Sequence, residues 1–397
     1  MIGVTKGLCQ VGVPFEMSED RIRELEEKIR VAREEYYNLS PVLSDQEFDA
    51  LVDELHRLKP ESPEVTAIGA PIPQLSVWEK VAHQIPMGSL NKVNSEAEFD
   101  EWATKATTQV RETHLLGREQ LVDFFITHKI DGSSMELVYE RGHLVRCVTR
   151  GDGIIGEDVT TNIIQVPNIP HILTRSGDRT IRGEIVMLKS VFQEHYASEY
   201  ANPRNTAAAK VREKKKGGID CKNLHFIAYW IDSPTVRWDS IYQMFGELQE
   251  TGFMIPSQPM ASDANGIKEL FRAETAKRDQ VPYEIDGMVV SINNCQVLKE
   301  LGDLNMRPRG QVAWKFDAAM CVTRVVDVRW QNGPTGRITP VANVEPVNVG
   351  GVTITSISLH NLSLFRDLKL FKGCQVLVSR RNDVIPYIEK NLDIEVV

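Results

Sequence analysis

The chain is predicted to be an α+β protein with several domains, on three observations from its 397 residues. Apolar residues repeat at helical spacing near the N-terminus, strand-like runs mix with helical segments in the middle, and short strands with turn signals fill the C-terminal part. This order predicts a small helical module at 1–72, a mixed α/β domain at 73–325 and a compact β-barrel at 326–397. Chains of this length usually have two or three domains.

The N-terminal module is expected to consist of two helices followed by a linker. The first helix begins near Ser18, and its apolar residues lie on one helical face. These residues are Ile22, Leu25, Ile29, Ala32 and Tyr36. Ser44 and Glu47 have the spacing of a capping box, which predicts the start of the second helix. The segment Pro60–Pro73 contains four prolines and is the expected linker.

Composition and charge limit the classes of function. The net charge is 46 − 55 = −9, which argues against binding of nucleic acid by the whole surface but allows a local basic track. Residues 210–216 and 307–309 are candidate basic runs, and 213–216 fits a solvated loop equally well. No run reaches the ~18 apolar residues of a membrane span, and no signal peptide pattern is present. The six scattered cysteines indicate reduced thiols, so we expect a cytoplasmic protein without structural zinc.

Lys129 is the most informative residue of the chain. It opens the motif Lys-Ile-Asp-Gly at the end of a predicted strand, Phe124–Ile130, and a hairpin strand at Met135–Tyr139 follows. A strand-end lysine with a carboxylate and a glycine beside it suits a nucleophilic amine in a nucleotide pocket. Such an amine attacks phosphorus only after it loses its proton, which burial or neighbouring cations favour. The motif alone also fits a solvated lysine.

The glycine-rich segment 149–158 matches a dinucleotide-binding fingerprint when its glycines alone are counted. That interpretation is rejected because the preceding strand, Leu144–Arg150, is predicted to lie in an antiparallel hairpin and not in a βαβ unit. Glu157 and Asp158 would also repel a pyrophosphate. We interpret the segment as a turn that leaves Arg150 free to meet a ligand.

Later segments place single polar residues beside apolar strands or a helix. Glu184 follows a glycine in a short predicted strand. An Asn-Pro turn leads into an alanine-rich helix, which Asn205 or Thr206 is expected to cap. Arg204 and Arg212 lie about two helical turns apart there and are candidates for gripping a phosphate. Further strands are predicted at 225–229, 283–290 and 312–316.

In this order, the motifs resemble those of bacterial NAD-dependent DNA ligases. The motifs are Lys-x-Asp-Gly at 129–132, Thr-Arg-Gly-Asp-Gly-x-x-Gly-Glu-Asp at 149–158, Arg-Gly-Glu at 182–184, Ala-Asn-Pro-Arg-Asn-x-Ala-Ala at 201–208, Ile-Asp-Gly-x-Val-Val at 285–290 and Lys-Phe at 315–316. The segment 85–90 resembles one that borders the adenine in that family, and 333–342, 358–361 and 383–386 resemble parts of its OB-fold domain. The resemblance covers about residues 18–390. It implies a helical NMN-binding module, a nucleotidyltransferase (adenylation) domain and an OB-fold barrel.

The resemblance implies a ligase that seals 5′-phosphate/3′-hydroxyl nicks in duplex DNA, with NAD as adenylate donor. Lys129 would attack the α-phosphate and carry AMP, and Tyr229 would stack on adenine. Glu184 and Asp286 would bind Mg²⁺, because this ion prefers carboxylate oxygens and water. The residues implied to bind NAD are Tyr36, Tyr37, Asp45, Asp49, Ser89, Leu90, Asp131, Gly132, Arg150, Glu184, Tyr229, Ser291 and Lys315. The residues implied to bind nucleic acid are Arg204, Arg212, Arg278, Arg337 and Arg380.

Four positions depart from the family pattern. Tyr37 replaces a histidine and Phe48 a tyrosine in the N-terminal module, whose two aspartates are retained. Thr127 replaces an acidic residue, and Ser291 replaces a lysine. Two alternatives to a NAD-dependent ligase therefore stay open. One is a catalytically weakened nucleic-acid-binding subunit of a split ligase, and the other is a ligase that uses ATP or seals RNA-containing ends.

The sequence does not continue into the zinc, helix-hairpin-helix and BRCT modules that follow in the family. It is therefore compatible with a piece of a longer ligase, a short ligase or one half of a split enzyme. We expect nicked duplex DNA as the partner, with a second subunit or clamp protein if the enzyme is split. A monomer without membrane association is the expected state.

Overall fold

The structure is a computed structural model. It describes residues 15–38, 43, 45–67, 69–70, 78–117, 121–200, 202–214, 218–256, 260–316, 320–332, 338–349, 352–359, 362–381 and 385–394. The chain divides into two compact units, Met1–Pro71 and Ile72–Val397. None of the helices in these described segments is long and apolar enough to cross a membrane.

The first unit is helical, as the spacing of its apolar residues predicts. Its described helices are α1 (Phe15–Asn38), α2 (Asp45–Leu58) and α3 (Pro63–Thr66). Leu25 and Ile29 from α1 and Leu55 from α2 are completely buried against one another. The burial of these side chains is what holds two otherwise marginal helices together. The predicted cap, Ser44, lies outside the described residues.

The second unit mixes helices with strands. Its described helices are α4 (Glu96–Glu112), α5 (Thr160–Ile163), α6 (Lys189–His195), α7 (Pro203–Arg212), α8 (Ile241–Glu250), α9 (Ala264–Lys277), α10 (Cys295–Leu301) and α11 (Leu362–Asp367), with 3₁₀ turns at Ile219–Asn223 and Arg278–Gln280. Its described strands are β1 (Lys80–Ala82), β2 (Asn91–Val93), β3 (Phe124–Ile130), β4 (Ser133–Glu140), β5 (His143–Thr149), β6 (Ile155–Glu157), β7 (Arg179–Met187), β8 (Leu224–Asp232), β9 (Met260–Ser262), β10 (Ile285–Ile292), β11 (Asp303–Leu304), β12 (Arg307–Pro308), β13 (Gln311–Lys315), β14 (Met320–Asn332), β15 (Ile338–Val349), β16 (Val352–Ser358), β17 (Gln375–Arg381) and β18 (Ile385–Asn391).

One sheet has the strand order β2-β13-β10-β3-β9. β10 pairs antiparallel with β3 and β13, whereas β2 runs parallel to β13. One face packs on α4 and α9, where Trp314 stacks between Phe99 and Phe271 at ring-centroid distances of 4.3 and 4.0 Å. Because side chains alternate between faces, the residues between these core positions project to the opposite face, which carries Lys129.

The other large sheet of the mixed α/β region has the order β5-β4-β7-β8 and is antiparallel throughout. The predicted hairpin of β4 and β5 is confirmed. Arg141 and Gly142 form its turn, with φ values of 50° and 84°. Two consecutive positive φ values are typical of the two-residue turns whose twist matches that of the flanking strands. The hairpin agrees with the rejection of a dinucleotide-binding βαβ unit.

Helix α7 begins differently from the prediction. The Asn202 side chain accepts a hydrogen bond from the backbone N–H of Asn205 at 2.7 Å, and Pro203 takes the first helical position. Proline suits that position because its missing N–H would have no partner inside the helix. The expectation that Asn205 or Thr206 caps the helix was wrong.

The C-terminal strands form a third sheet with the order β16-β15-β14-β17-β18. The first part of β14 pairs with β17 and its second part with β15, so this long strand belongs to both halves of the sheet. The change of partner falls between Arg324 and Val325, and a β-bulge follows directly, between Val325 and Asp327. Such bulges bend a strand, which lets a sheet curl around its own core. The predicted strands of the C-terminal region are present as this sheet, which the helix α11 accompanies, and its first described strand begins at Met320.

Candidate active site

Lys129 and Lys315 lie on either side of a glycine in the first sheet. Lys129 is opposite Gly287 in β10, and Gly287 is opposite Lys315 in β13. Laterally paired residues project to the same face, so both lysines enter one pocket. A Cβ atom on Gly287 would approach the Trp314 carbonyl oxygen to 2.3 Å, which explains why a glycine separates them.

Asp286 reaches Lys129 because β10 contains a β-bulge. The pairing with β3 shifts between Ile285 and Gly287, so Asp286 is the extra residue. Its carboxylate oxygens accept hydrogen bonds from Lys129 Nζ at 2.8 and 2.7 Å. Burial favours a raised pKa for Asp286, but the positive charges of Lys129, Lys315 and Arg204 outweigh it and hold that pKa below its usual value. Asp286 is therefore an ionised acceptor for the lysine.

Glu184 faces these groups from β7 of the second sheet. The Ser134 hydroxyl donates to Glu184 Oε1 at 2.6 Å, whereas Glu184 Oε2 is buried and has no hydrogen-bond partner among the described residues. Burial raises the pKa of Glu184 to about 7, although the Ser134 hydrogen bond and the charges of Arg204, Lys129 and Arg150 oppose the shift. A buried oxygen without a partner is costly, which suggests that a ligand completes its hydrogen bonding.

Glu184→Gln is expected to remove a pH-dependent loss of stability. The folded pKa of about 7 lies above the unfolded value, so the folding free energy contributed by Glu184 is lost as the pH rises towards 7. The difference in unfolding free energy between the variant and the original protein should therefore shift by roughly 2–3 kcal/mol in favour of the variant when the pH is raised from 5 to 8. Urea unfolding at both pH values measures this difference, with the exposed Glu199→Gln as control. Parallel pH profiles for Glu184→Gln and the original protein would contradict the raised pKa.

Tyr229 lies beside Glu184 at a second bulge. The pairing of β7 with β8 shifts between Arg182 and Gly183, and Tyr229 is the extra residue of β8. Burial raises the pKa of Tyr229, and the neighbouring carboxylate of Glu184 adds to this effect. The half-buried ring of Tyr229 packs against the hydrophobic core of the second sheet and its helices. A neutral aromatic ring of this kind suits stacking on a base.

Arg150 already forms a hydrogen bond within the protein, whereas the sequence analysis expected its side chain to be free to meet a ligand. Its Nη2 donates a hydrogen bond to the Gly88 carbonyl at 3.0 Å. Its charge still acts on the Glu184 carboxylate. Ser89 and Leu90, both predicted to bind NAD, directly follow Gly88 and lead into β2. Arg150 therefore joins the segment that precedes β2 to the carboxylate side of the pocket.

A buried polar network behind Arg150 was missed by the sequence analysis. The side chain of His83 is completely buried, with Nδ1 3.1 Å from Glu136 Oε1 and Nε2 3.0 Å from the Arg150 carbonyl oxygen. Arg182 Nε lies 3.8 Å from the other carboxylate oxygen of Glu136. No motif or periodicity marks these residues, because pairing between distant strands brings them together. They fix the backbone that carries Arg150.

The N-terminus of α7 closes the pocket near the Lys-Ile-Asp-Gly turn. Arg204 Nε donates to the Gly132 carbonyl at 3.1 Å and lies 3.1 Å from Asp131 Oδ1. Burial lowers the pKa of Arg278, and the charges of Asp286 and Asp131 oppose this shift. Arg278, which was predicted to bind nucleic acid, therefore lies within electrostatic range of the pocket carboxylates.

The predicted basic track is interrupted. Arg212 Nε forms an ion pair with Glu157 Oε2 at 2.7 Å, so a carboxylate already balances its charge. Lys210 is buried and pairs with Asp220 at 3.0 Å. The interpretation of 210–216 as a continuous basic surface is wrong for Lys210, because helix α7 turns this side chain into the protein.

Ser291 lies deeper along the same face of the sheet. It is opposite Phe125 and Gln311, and its hydroxyl accepts a hydrogen bond from Gln311 Nε2 at 2.8 Å. Ser291 is only 4 % exposed and is four residues beyond Gly287 along β10. Unlike the lysine of the family pattern, a serine at this position has no positive charge, and its side chain is too short to reach a ligand bound beside Lys129.

Several predicted site residues belong to less completely described segments. Asp49 lies half-buried in α2. Arg337 lies outside the described residues. For four further residues the structure gives the backbone position in α1, α2 or β17 but not the side chain: Tyr36, Tyr37, Asp45 and Arg380.

Three family models match consecutive parts of the chain. The DNA ligase-like N-terminal NAD⁺-binding domain matches residues 16–74, the NAD-dependent DNA ligase adenylation domain matches 75–319, and the NAD-dependent DNA ligase OB-fold domain matches 322–395. The adenylation match contains the pocket lined by Lys129, Glu184 and Lys315. The helical module, adenylation domain and OB-fold expected from the resemblance are thus confirmed as the fold class.

The chain is also similar to curated proteins named DNA ligase. It is 40 % identical over 385 residues to that of Sorangium cellulosum, covering 93 % of this chain and 56 % of the relative. It is 33 % identical over 367 residues to that of Leptospira biflexa (89 % and 53 %) and 35 % over 396 residues to that of Aquifex aeolicus (94 % and 54 %). The chain belongs to the NAD-dependent DNA ligase family, and it spans about half the length of these relatives.

Proposed function

We propose that this chain seals 5′-phosphate/3′-hydroxyl nicks in duplex DNA and takes its adenylate from NAD. One observation carries the proposal: Lys129 Nζ contacts both oxygens of Asp286 at 2.8 and 2.7 Å, in a pocket shared with Lys315 and Glu184. A lysine held against an ionised carboxylate and surrounded by further cations suits attack on a phosphorus that gains negative charge in the transition state.

In the first step, the Lys129 amine attacks the α-phosphorus of NAD, which is here a substrate. A nitrogen–phosphorus bond forms, the bond between this phosphorus and the bridging oxygen breaks, and nicotinamide mononucleotide leaves. Asp286 is the acceptor within hydrogen-bonding distance of the amine and takes its proton. Lys315 and Arg150 offset the charge on the phosphoryl oxygens. The product is AMP joined to Lys129 as a phosphoramidate.

In the second step, the 5′-phosphate of the nick attacks the same phosphorus and Lys129 leaves as an amine. In the third step, the 3′-hydroxyl attacks the 5′-phosphorus and AMP departs. All three steps transfer a phosphoryl or nucleotidyl group, so one cationic pocket serves them by positioning and charge stabilisation.

The pocket also fits Mg²⁺, which we propose as the metal. Glu184 Oε2 is a buried carboxylate oxygen with no hydrogen-bond partner among the described residues, and Asp286 supplies a second carboxylate. Mg²⁺ commonly binds one or two carboxylates together with substrate phosphates and water. When bound, the ion would neutralise phosphate charge, while Lys129 and Asp286 keep their roles in the attack.

The remaining roles follow from position along the chain. We propose that the helical module at 1–72 binds the nicotinamide mononucleotide half of NAD, that 73–325 carries adenylation and that 326–397 helps to hold DNA. We also propose a cytoplasmic monomer. The six cysteines of the sequence are scattered, without a Cys-x-x-Cys pair, which suits a reducing compartment.

Incubation with NAD labelled in its adenylate and Mg²⁺ tests the proposed function. We expect a covalent adduct that acid cleaves and base does not, followed by transfer of AMP to a nicked duplex. Labelled ATP is run in parallel under the same conditions. An adduct that forms from ATP and not from NAD would show that ATP, and not NAD, is the donor. Absence of both adducts would refute the proposed ligase activity.

Binding to nicked DNA is expected to be weak and dependent on salt. The net charge is −9, and Glu157 already balances Arg212. If roughly four or five cations neutralise phosphates, the slope of log K against log salt should be about −4. Affinity for a nicked duplex at several salt concentrations measures this slope. Tight binding that salt does not weaken would show that charge is not what holds the DNA.

A further inference from the structure

A pair of charged side chains lies beside Glu184 on the pocket face of the second sheet. Glu136 in β4 is opposite Arg182 in β7, two residues along each strand from the pair formed by Ser134 and Glu184, or about 6–7 Å. Residues two apart in a strand project to the same face, so this row continues the face that carries Glu184. Glu136 is 1 % exposed, and Arg182 Nε lies 3.8 Å from its carboxylate. A carboxylate buried to this extent needs a proton or a compensating charge beside it.

The segment from His83 to Met87 lies against this row and is bonded to the loop that follows Arg150. The backbone N–H of His83 donates to the Ile154 carbonyl at 2.9 Å, and that of Met87 donates to the Gly153 carbonyl at 2.8 Å. These two bonds join the segment to the loop at both of its ends. The segment and the loop therefore hold each other in place beside the pocket.

The imidazole of His83 connects Glu136 to the backbone of Arg150. The side chain is completely buried, with Nε2 3.0 Å from the Arg150 carbonyl oxygen and Nδ1 3.1 Å from Glu136 Oε1. A carbonyl oxygen can only accept, so Nε2 carries a proton and donates it to this bond. Nδ1 and the carboxylate then share one further proton, and the pair of His83 and Glu136 has no net charge whichever of the two holds it. The direction of the bond to Arg150 is thus the same in both cases.

Arg150 is held along its whole length. Its N–H donates to the Ser134 carbonyl at 3.3 Å, and its guanidinium donates to the Gly88 carbonyl at 3.0 Å. Its own carbonyl accepts from the Gly153 N–H at 3.0 Å as well as from His83 Nε2, since a carbonyl oxygen has two lone pairs. On the proposed function, the guanidinium offsets charge on the phosphoryl group. A misplacement of about 1 Å in such a group can lower a rate by roughly a hundredfold.

We propose that His83 is a positioning residue for nucleotidyl transfer, which holds the backbone of Arg150 so that the guanidinium is directed at the α-phosphate. The inference rests on the proposed function for the role of Arg150. The Nε2 bond does the positioning, whereas the Nδ1 contact holds the imidazole against Glu136. A guanidinium that stabilises charge as it develops acts on the transition state, so its displacement should lower the maximal rate more than the affinity for NAD.

Two substitutions of His83 separate the roles of its two ring nitrogens. The side-chain amide of glutamine can place its nitrogen where Nε2 lies, and that of asparagine where Nδ1 lies, so only His83→Gln keeps the donor to Arg150. In single-turnover formation of the labelled adduct at saturating NAD, we expect the rate to fall about tenfold to thirtyfold in His83→Asn and less than about threefold in His83→Gln. The NAD concentration that gives half the maximal rate should change less than about threefold in both variants.

A double-mutant cycle tests whether His83 acts through Arg150. In an Arg150→Ala background the guanidinium is absent, so His83→Asn should slow adduct formation by less than about twofold further. Each His83 variant loses one bond of the same buried imidazole, so their urea midpoints should agree. An equal loss of rate in both variants, or the full further loss in the Arg150→Ala background, would overturn the inference. So would a urea midpoint that falls in His83→Asn alone, because the histidine would then serve stability.

Hydrogen exchange of the ligand-free chain separates this inference from the proposed ligase activity. Peptides that cover 150–157 should exchange faster in His83→Asn than in His83→Gln, because the loop has lost its bond to the residue at position 83. Faster exchange in His83→Asn, with no adduct in the original protein, would refute the ligase and keep the hold of His83 on Arg150. An adduct in the original protein, with equal exchange and equal rates in the two variants, would refute the role of His83 and keep the ligase.

Discussion

Lys129→Ala should abolish the covalent adduct with AMP completely. The variant lacks the amine that attacks phosphorus and that Asp286 holds at 2.8 and 2.7 Å. Removal of a nucleophile that forms a covalent intermediate typically costs many orders of magnitude in rate. Labelled NAD followed by denaturing electrophoresis measures the loss. Sealing of a nick that already carries 5′-AMP should persist, because that step does not need the lysyl intermediate.

A matched variant separates nucleophilicity from charge. Lys129→Arg keeps a cation beside Asp286, but a guanidinium does not lose its proton in proteins, so it should form no adduct. Both variants should unfold at nearly the same urea concentration as the original protein, since the Lys129 side chain is 28 % exposed and leaves no core cavity. An adduct that persists in either variant would refute Lys129 as the nucleophile.

Removal of residues 1–72 should eliminate reaction with NAD and spare sealing of a nick that carries 5′-AMP. Residues 1–71 form a compact unit with its own buried residues, so the rest of the chain should keep its fold. The proposed role of this unit is to hold the nicotinamide mononucleotide half, which matters only while NAD is the substrate. Gel assays with the two substrates measure the split.

The control for this removal is a single substitution within the helical unit. Asp49 lies half-buried in α2, and Asp49→Asn removes its charge at constant size. It should weaken reaction with NAD by about tenfold to a hundredfold, the cost of losing a charged hydrogen bond, and leave sealing of the adenylated nick unchanged. Equal loss of both activities after the removal would mean that residues 1–72 support the fold of the rest of the chain.

The sequence predicted the local parts of the site better than the contacts between them. Alternation and turn residues predicted the strand that carries Lys129 and the hairpin after it, because these depend on neighbours in sequence. The contact of His83 with Glu136 joins residues far apart in the chain, and no local pattern reports it. The burial of Lys210 escaped for the same reason, since a basic run looks exposed until its helix is packed.

The bulge at Asp286 also changes the phase of the strand in which it lies. Before it, the odd-numbered residues Tyr283 and Ile285 enter the core under the helices, and after it the even-numbered Met288, Val290 and Ile292 do so. Asp286 and Gly287, although consecutive in sequence, therefore both lie on the pocket face of the sheet. Loss of Asp286 would leave one uninterrupted alternation, with every other residue of the strand on its present face, and would remove the acceptor of Lys129. The extra residue therefore serves the pocket and not the core, and a strand without it could pack equally well but would lack the carboxylate.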